Sequence, residues 1–216
     1  GFSFGVGAIG KITESLRLGL SYESPTWYNL TDEVRQRTVT NCADCGTIGT
    51  NIVFDPNVIM IFESYRIQTP SKLTGSFAYV FGDKGLISVD YGMKDYSNIT
   101  FRPRGDVGLE SINNFMSENL DMAAELRIGG EFKHKQWSLR GGYRFEESPY
   151  KVDLIMGDLT GYSAGFGYDF GTSRLDLAYA YNRRKMNFDI ISSGLSDASR
   201  LTAINNNVTL SYTIKF

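Results

Sequence analysis

Apolar and polar residues alternate one by one along most of this chain. At its end Val208, Leu210, Tyr212, Ile214 and Phe216 share one parity, while Asn207, Thr209, Ser211, Thr213 and Lys215 share the other. A period of two marks a β-strand with one greasy face and one polar face. The same division separates Leu16, Leu18, Leu20 and Tyr22 from Arg17, Gly19, Ser21 and Glu23, and Leu73, Phe77, Tyr79 and Phe81 from Lys72, Thr74, Ser76 and Ala78. It continues with Ile87, Val89, Tyr91 and Met93, then with Leu126, Ile128 and Phe132, then with Trp137, Leu139, Tyr143 and Phe145. Two further greasy rows follow, Tyr162 to Phe170 and Leu175 to Tyr181. With Phe2, Phe4 and Val6 opening the chain, the pattern predicts about nine strands.

The connections alternate in length. Short turns are expected at residues 10–14, 82–85, 133–136 and 171–174, and long ones at 30–57, 104–118, 146–159 and 189–205. None of these strands carries a charge on its greasy face, and Phe81, Phe132, Trp137, Phe170 and Phe216 gather beside the short turns. A soluble sheet with one wet face needs neither feature. An antiparallel transmembrane β-barrel needs both, because its outer face meets lipid and its aromatics sit at the interfaces. Mean hydropathy is slightly negative, at -0.22, and no run of 18 or more apolar residues occurs. That excludes membrane-spanning helices but not strands, whose lipid face uses alternate residues only.

Short turns and the terminal Phe216 are expected in the periplasm and long loops outside the cell, which places the chain in a bacterial outer membrane with lipid as a neighbour. An odd number of strands leaves the first and last both running towards the periplasm. Residues 1–216 are therefore read as the C-terminal part of one barrel domain, with earlier strands upstream of Gly1.

Composition removes other classes. Lys+Arg 22 against Asp+Glu 24 gives no basic excess for a nucleic-acid partner. The sole histidine, His134, lies between two lysines in a tight turn, so no base–nucleophile pair can be built around it. No phosphate loop or metal-ligand spacing appears, so neither enzyme chemistry nor a cofactor is expected. Cys42 and Cys45 suit a local disulfide bracing an exposed loop better than a redox or zinc motif.

The inward parity mixes charges: Lys72, Asp90, Glu125, Arg127, Glu131, Arg140, Arg144 and Asp176 among them. These residues either pair across strands to fill the interior, or a subset binds a ligand carboxylate. Arg140 and Arg144 are the candidates for the second role, with Arg127 beside them on the adjacent strand. In the loops, Leu109, Ile112, Phe115, Met116 and Leu120 fall at helical spacing, which predicts a short amphipathic helix. Ile112, Phe115 and Met116 are its candidates for capturing an apolar ligand. Residues 51–62 are rich in apolar side chains and are expected partly to extend the third strand and partly to form a greasy mouth.

Three stretches resemble one family. Leu16-Arg17-Leu18-Gly19-Leu20-Ser21-Tyr22-Glu23-Ser24-Pro25-Thr26-Trp27 is similar to a strand and loop entry of the FadL/TodX outer-membrane transporters. Thr69 to Tyr79, followed by Val89-Asp90-Tyr91 and Tyr96-Ser97, resembles the next hairpin, and Arg140-Gly141-Gly142-Tyr143 with Glu147-Ser148-Pro149-Tyr150 a later one. The flavour is that of Bacteroidetes members. The resemblance implies passive uptake of long-chain fatty acids or other hydrophobic compounds through a plugged barrel of about fourteen strands, of which about nine are here. It also implies that the plug and a lateral opening lie mainly upstream. The alternative is a barrel of this type serving as an attachment or assembly component, with an outer-membrane protein as partner at the loops.

Overall fold

The computed structural model describes residues 1–41, 51–152, 155–188 and 199–215. The nine expected strands form one antiparallel sheet. They are β1 (Gly5–Lys11), β2 (Leu16–Glu23), β3 (Lys72–Val80), β4 (Gly85–Asp95), β5 (Met122–His134), β6 (Trp137–Glu146), β7 (Met156–Asp169), β8 (Ser173–Phe188) and β9 (Ser199–Ile214). Each pairs with its sequence neighbour, so the sheet is a meander with β1 and β9 at its edges. Nine antiparallel strands make those two edges run in the same direction.

Register carries the predicted parity through the sheet. In β3 the exposed positions are Leu73, Gly75, Phe77 and Tyr79, and the residues between them are half-buried. Among the described residues only Leu120 and Ala123 are buried hydrophobics, while Leu20, Phe77, Phe132, Tyr162, Leu177 and Leu210 all stand exposed on one face. A sheet in water hides its greasy face against a second layer. This one presents it outwards, as a barrel does to lipid. Beside the short turns the rings touch: Trp137 and Tyr168 at 4.4 Å, Tyr168 and Phe170 at 4.7 Å, Tyr79 and Phe81 at 4.9 Å.

Two of the turns are tighter than the sequence spacing suggests. The hairpin at 133–136 contracts to Lys135 and Gln136, because His134 pairs directly with Trp137, and Lys135 takes a positive φ of 53° to close it. Strand β8 starts at Ser173, so the next turn lies at 170–172 and not at 171–174.

Residues 51–62 do not extend the third strand. Residues 24–41 and 51–71 instead run as the two arms of a hairpin. Trp27–Leu30 pairs with Tyr65–Gln68, Glu33–Arg35 with Ile59–Ile61, and Thr38–Asn41 with Asn51–Phe54. The backbone of 51–61 is thus used by its own partner arm. Pro70, which lacks an N–H, separates that arm from β3. Cys42 and Cys45 lie outside the described residues, as does Phe216, so the expected disulfide has no structural reading.

The predicted helix is present as α1 (Val107–Asn119). Asp106 caps it by accepting the Leu109 N–H at 3.0 Å. Asn113 ties it to the strand Thr100–Arg102: its amide oxygen accepts the Phe101 N–H at 2.6 Å and its NH2 donates to the Phe101 carbonyl at 3.0 Å. That strand in turn pairs with Tyr65–Gln68, so helix and hairpin are joined.

Candidate functional site

The inward face of the sheet is organised in levels, which the register defines. At a lower one, Glu131 lies opposite Arg140, and Arg140 opposite Gly165. Arg140 donates to Asp176 at 2.7 Å and to Glu131 at 3.1 Å. Arg174 holds Asp176 at 2.8 Å and Ser138 at 2.7 Å. Glu131, Arg140, Asp176 and Arg174 therefore form a closed ladder of equal positive and negative charge.

Arg140 and Asp176 stand on β6 and β8, with β7 between them. Adjacent strands are about 4.8 Å apart, so their side chains must cross roughly 10 Å of backbone. The crossing exists because β7 offers glycine. A Cβ on Gly167 would lie 2.3 Å from the Asp176 carboxylate and 2.7 Å from the Ser138 hydroxyl, and one on Gly165 would press on Arg140 at 3.4 Å. The same device recurs higher up. Lys72 on β3 reaches Glu125 on β5 at 3.0 Å over Gly92 of β4.

The upper level is arranged differently. Arg127 lies directly opposite Arg144, and Glu125 directly opposite Glu146. Like charges face each other, and each is relieved by its neighbour along the strand: Arg127 contacts Glu125, and Arg144 contacts Glu146. Lys72 adds to Glu125, and Arg184 adds to Glu146 at 3.3 Å. Two further carboxylates lie alongside, Asp90 directly opposite Arg127 and Glu23 directly opposite Lys72, so four bases and four acids meet here.

Between the two clusters runs a neutral belt. Ala78, Ser88, Gly129, Gly142, Ser163 and Ala180 are successive register partners from β3 to β8. None has a side chain larger than a hydroxymethyl group. The belt floors a concavity of about 550 Å³, with Arg140 on one side and Arg127 and Arg144 on the other.

The two candidate arginines thus open onto one space but are differently engaged. Arg140 belongs to the ladder that spans β5 to β8, and Arg144 to the upper cluster, where it faces Arg127 and pairs with Glu146. The helix trio divides as well. Ile112 and Phe115 are exposed, 38% and 46%, whereas Met116 turns inwards with Leu109, Asn113 and Leu120. Arg174, Glu146 and Arg184 were not among the sequence candidates. The signal that finds them is the inward parity continued to the strand ends, where Arg184 falls in step with Asn182, Ala180 and Asp176.

A family model described as "Outer membrane protein transport protein (OMPP1/FadL/TodX)" matches residues 1–215. The chain belongs to the FadL/TodX family. Among solved structures it resembles a Pseudomonas aeruginosa FadL homologue, at 17% identity and a TM-score of 0.62 over 99% of this chain and 52% of that one. It also resembles the Pseudomonas putida toluene transporter TodX, at 16% identity and a TM-score of 0.53 over 99% of this chain and 49% of that one. The chain therefore spans about half the length of these structures. Comparison with curated proteins gives no match. FadL/TodX membership makes the exposed apolar face of the sheet the lipid face of an outer-membrane barrel, and the belt and charge clusters its interior.

Proposed function

We propose that residues 1–216 are the C-terminal nine strands of a plugged outer-membrane channel for hydrophobic small molecules, with long-chain fatty acids as the substrate class. The earlier strands and the plug precede Gly1 in this reading. Long connections lie outside the cell and short turns in the periplasm. The observation that carries the reading is the neutral belt between two charge clusters. An alkyl chain crossing it displaces water from glycine, alanine and serine and breaks no ion pair. Its transfer from water gains about 0.8 kcal/mol per methylene.

A carboxylate head group fits the upper cluster, where Arg127 and Arg144 face each other with side chains 50% and 41% exposed. A charge-assisted hydrogen bond from either would orient the ligand. Arg140 sits on the far side of the belt as a second stop. Ile112 and Phe115 supply the first apolar contact at the loops, with Met116 behind them. No cofactor or energy source takes part.

The test is uptake of labelled long-chain fatty acid by cells or liposomes carrying the complete protein. Uptake above an empty control is expected. Changing Ile112, Phe115 and Met116 to Ser should weaken capture and leave the barrel folded. Uptake and binding no greater than the control would overturn the proposal.

A further inference from the structure

Strand β8 runs on past Tyr181 to Phe188 and there, against the expectation of a charge-free greasy face, carries bases on both faces, and the two sets are treated differently. On the inward face Arg174 holds Asp176 and Arg184 holds Glu146. On the outward face stand Arg183 and Lys185, both exposed. Their parity is that of Leu175, Leu177, Tyr179 and Tyr181, the lipid-facing row. Arg200 of β9 joins them: it lies opposite Asn187, one diagonal step from Lys185, which is opposite Thr202. The three bases are thus about 7–8 Å from their neighbours. Among the described residues none of them has a carboxylate within ion-pair distance. Asp158 on the adjacent strand is engaged by the Ser148 N–H at 2.8 Å.

Height along the strand gives this cluster its meaning. Leu175 is level with Tyr168 in the aromatic girdle beside the short turns. Lys185 lies ten residues farther along β8, about 33 Å of strand, which at a tilt of about 40° is a rise of roughly 25 Å. The apolar band of an outer-membrane barrel is about 25 Å tall. Leaving the girdle, the outward row therefore reads leucine, leucine, tyrosine, tyrosine, arginine, lysine, and the bases arrive where the apolar band ends. Arg183, slightly lower, can extend its guanidinium up to the interface.

We propose that Arg183, Lys185 and Arg200 form a binding site for the phosphorylated head group of an outer-leaflet lipid. Three like charges on one face repel one another unless an anion sits among them, and a phosphate offers acceptor oxygens to all three. The site is continuous with the lipid-facing row below it, so the acyl chains of the same molecule lie against Tyr179, Tyr181 and Ile204. The site rests on the orientation given under Proposed function, with the long loops outside the cell.

The experiment uses the complete protein in nanodiscs and reads bound lipid by native mass spectrometry. Diphosphorylated lipid A should bind, and its fully dephosphorylated form should bind far more weakly. The triple variant R183Q/K185Q/R200Q should lose affinity by roughly fivefold per base, on the order of a hundredfold together. It should keep fatty-acid uptake, which separates this site from the transport reading. Equal binding of the two lipids, or an unchanged affinity in the triple variant, would overturn the site. So would displacement of the lipid by millimolar inorganic phosphate, which would make a free anion the occupant. Labelling of K185C by a membrane-impermeant maleimide on intact cells is expected, and its absence would remove the orientation on which the site depends.

Discussion

Ala164 and Ser163 are adjacent residues of β7 with opposite surroundings, and an arginine at each would separate the two faces of the sheet. Ala164 is outward, flanked by Gly141 of β6 and Tyr179 of β8. It lies four residues from Tyr168 of the girdle, about 13 Å along the strand and roughly 10 Å up an apolar band of about 25 Å. That is close to the midplane, where an arginine costs about 2–4 kcal/mol. Ser163 is inward, in the neutral belt between Gly142 and Ala180. An arginine there meets water and two neighbouring arginines, a screened repulsion of about 1 kcal/mol or less. Both native side chains are small, so neither change removes a large apolar contact. Ala164→Arg should shift the folding equilibrium of the complete protein in lipid vesicles by roughly 30-fold to 1,000-fold, and Ser163→Arg by no more than about fivefold. Urea titration read by the heat-dependent gel shift of the folded barrel measures both. Equal losses, or the larger loss at Ser163, would refute the assignment of faces.

The glycine bridges make a second contrast. Gly167→Val drives a side chain into Asp176, Ser138 and Arg174 and should destabilise by about 1–3 kcal/mol, whereas Gly141→Val, with nothing within 4 Å of its added Cβ, should leave the urea midpoint almost unchanged. Asn113→Ala removes both hydrogen bonds that tie α1 to Phe101, so amide exchange in Val107–Asn119 should accelerate by about tenfold, from roughly 1–2 kcal/mol of lost bonding, while the barrel strands stay protected. Tyr65 donates to Asp32 at 3.0 Å, and that bond, with the nearby carboxylate charge, raises its pKa above the ordinary 10.0. Because the folded value is the higher one, the stabilisation is complete below the ordinary value and is lost as pH rises through the folded one. Asp32→Asn should bring phenolate formation by Tyr65, followed by ultraviolet absorbance, back towards 10.0, and an unmoved titration would mean the contact does not form in solution.

Parity was legible because lipid and water act on alternate residues of every strand. Leu73, Phe77 and Tyr79 were assigned outwards from the alternation alone, and the sheet places them there. Helix α1 was legible because Leu109, Ile112, Phe115, Met116 and Leu120 fall at helical spacing. The hairpin of residues 24–41 and 51–71 was not. Residues 51–62 are apolar enough to suit a barrel strand, and only the pairing of Ile59–Ile61 with Glu33–Arg35 shows where their backbone bonds go. Short apolar runs carry no information about their partner, since register is set by turn geometry and by the opposing strand.

The interior was legible as a list of charges and illegible as a circuit. Arg140 and Arg144 are two turns of the same pleat on one strand, and nothing in their local sequence tells them apart. What separates them lies one and two strands away. Below the belt, Gly165 and Gly167 let Asp176 and Arg174 reach over β7, so Arg140 finds two carboxylates and the ladder balances. Above it, Arg144 faces Arg127 and shares Glu146 with Arg184, while Arg127 contacts Glu125 and has Asp90 on its other side. Two arginines of one parity thereby acquire different surroundings, one bridging two carboxylates across strands and one set against a second arginine. Inward glycines, which in the sequence read only as empty space, are the residues that decide which ions can meet.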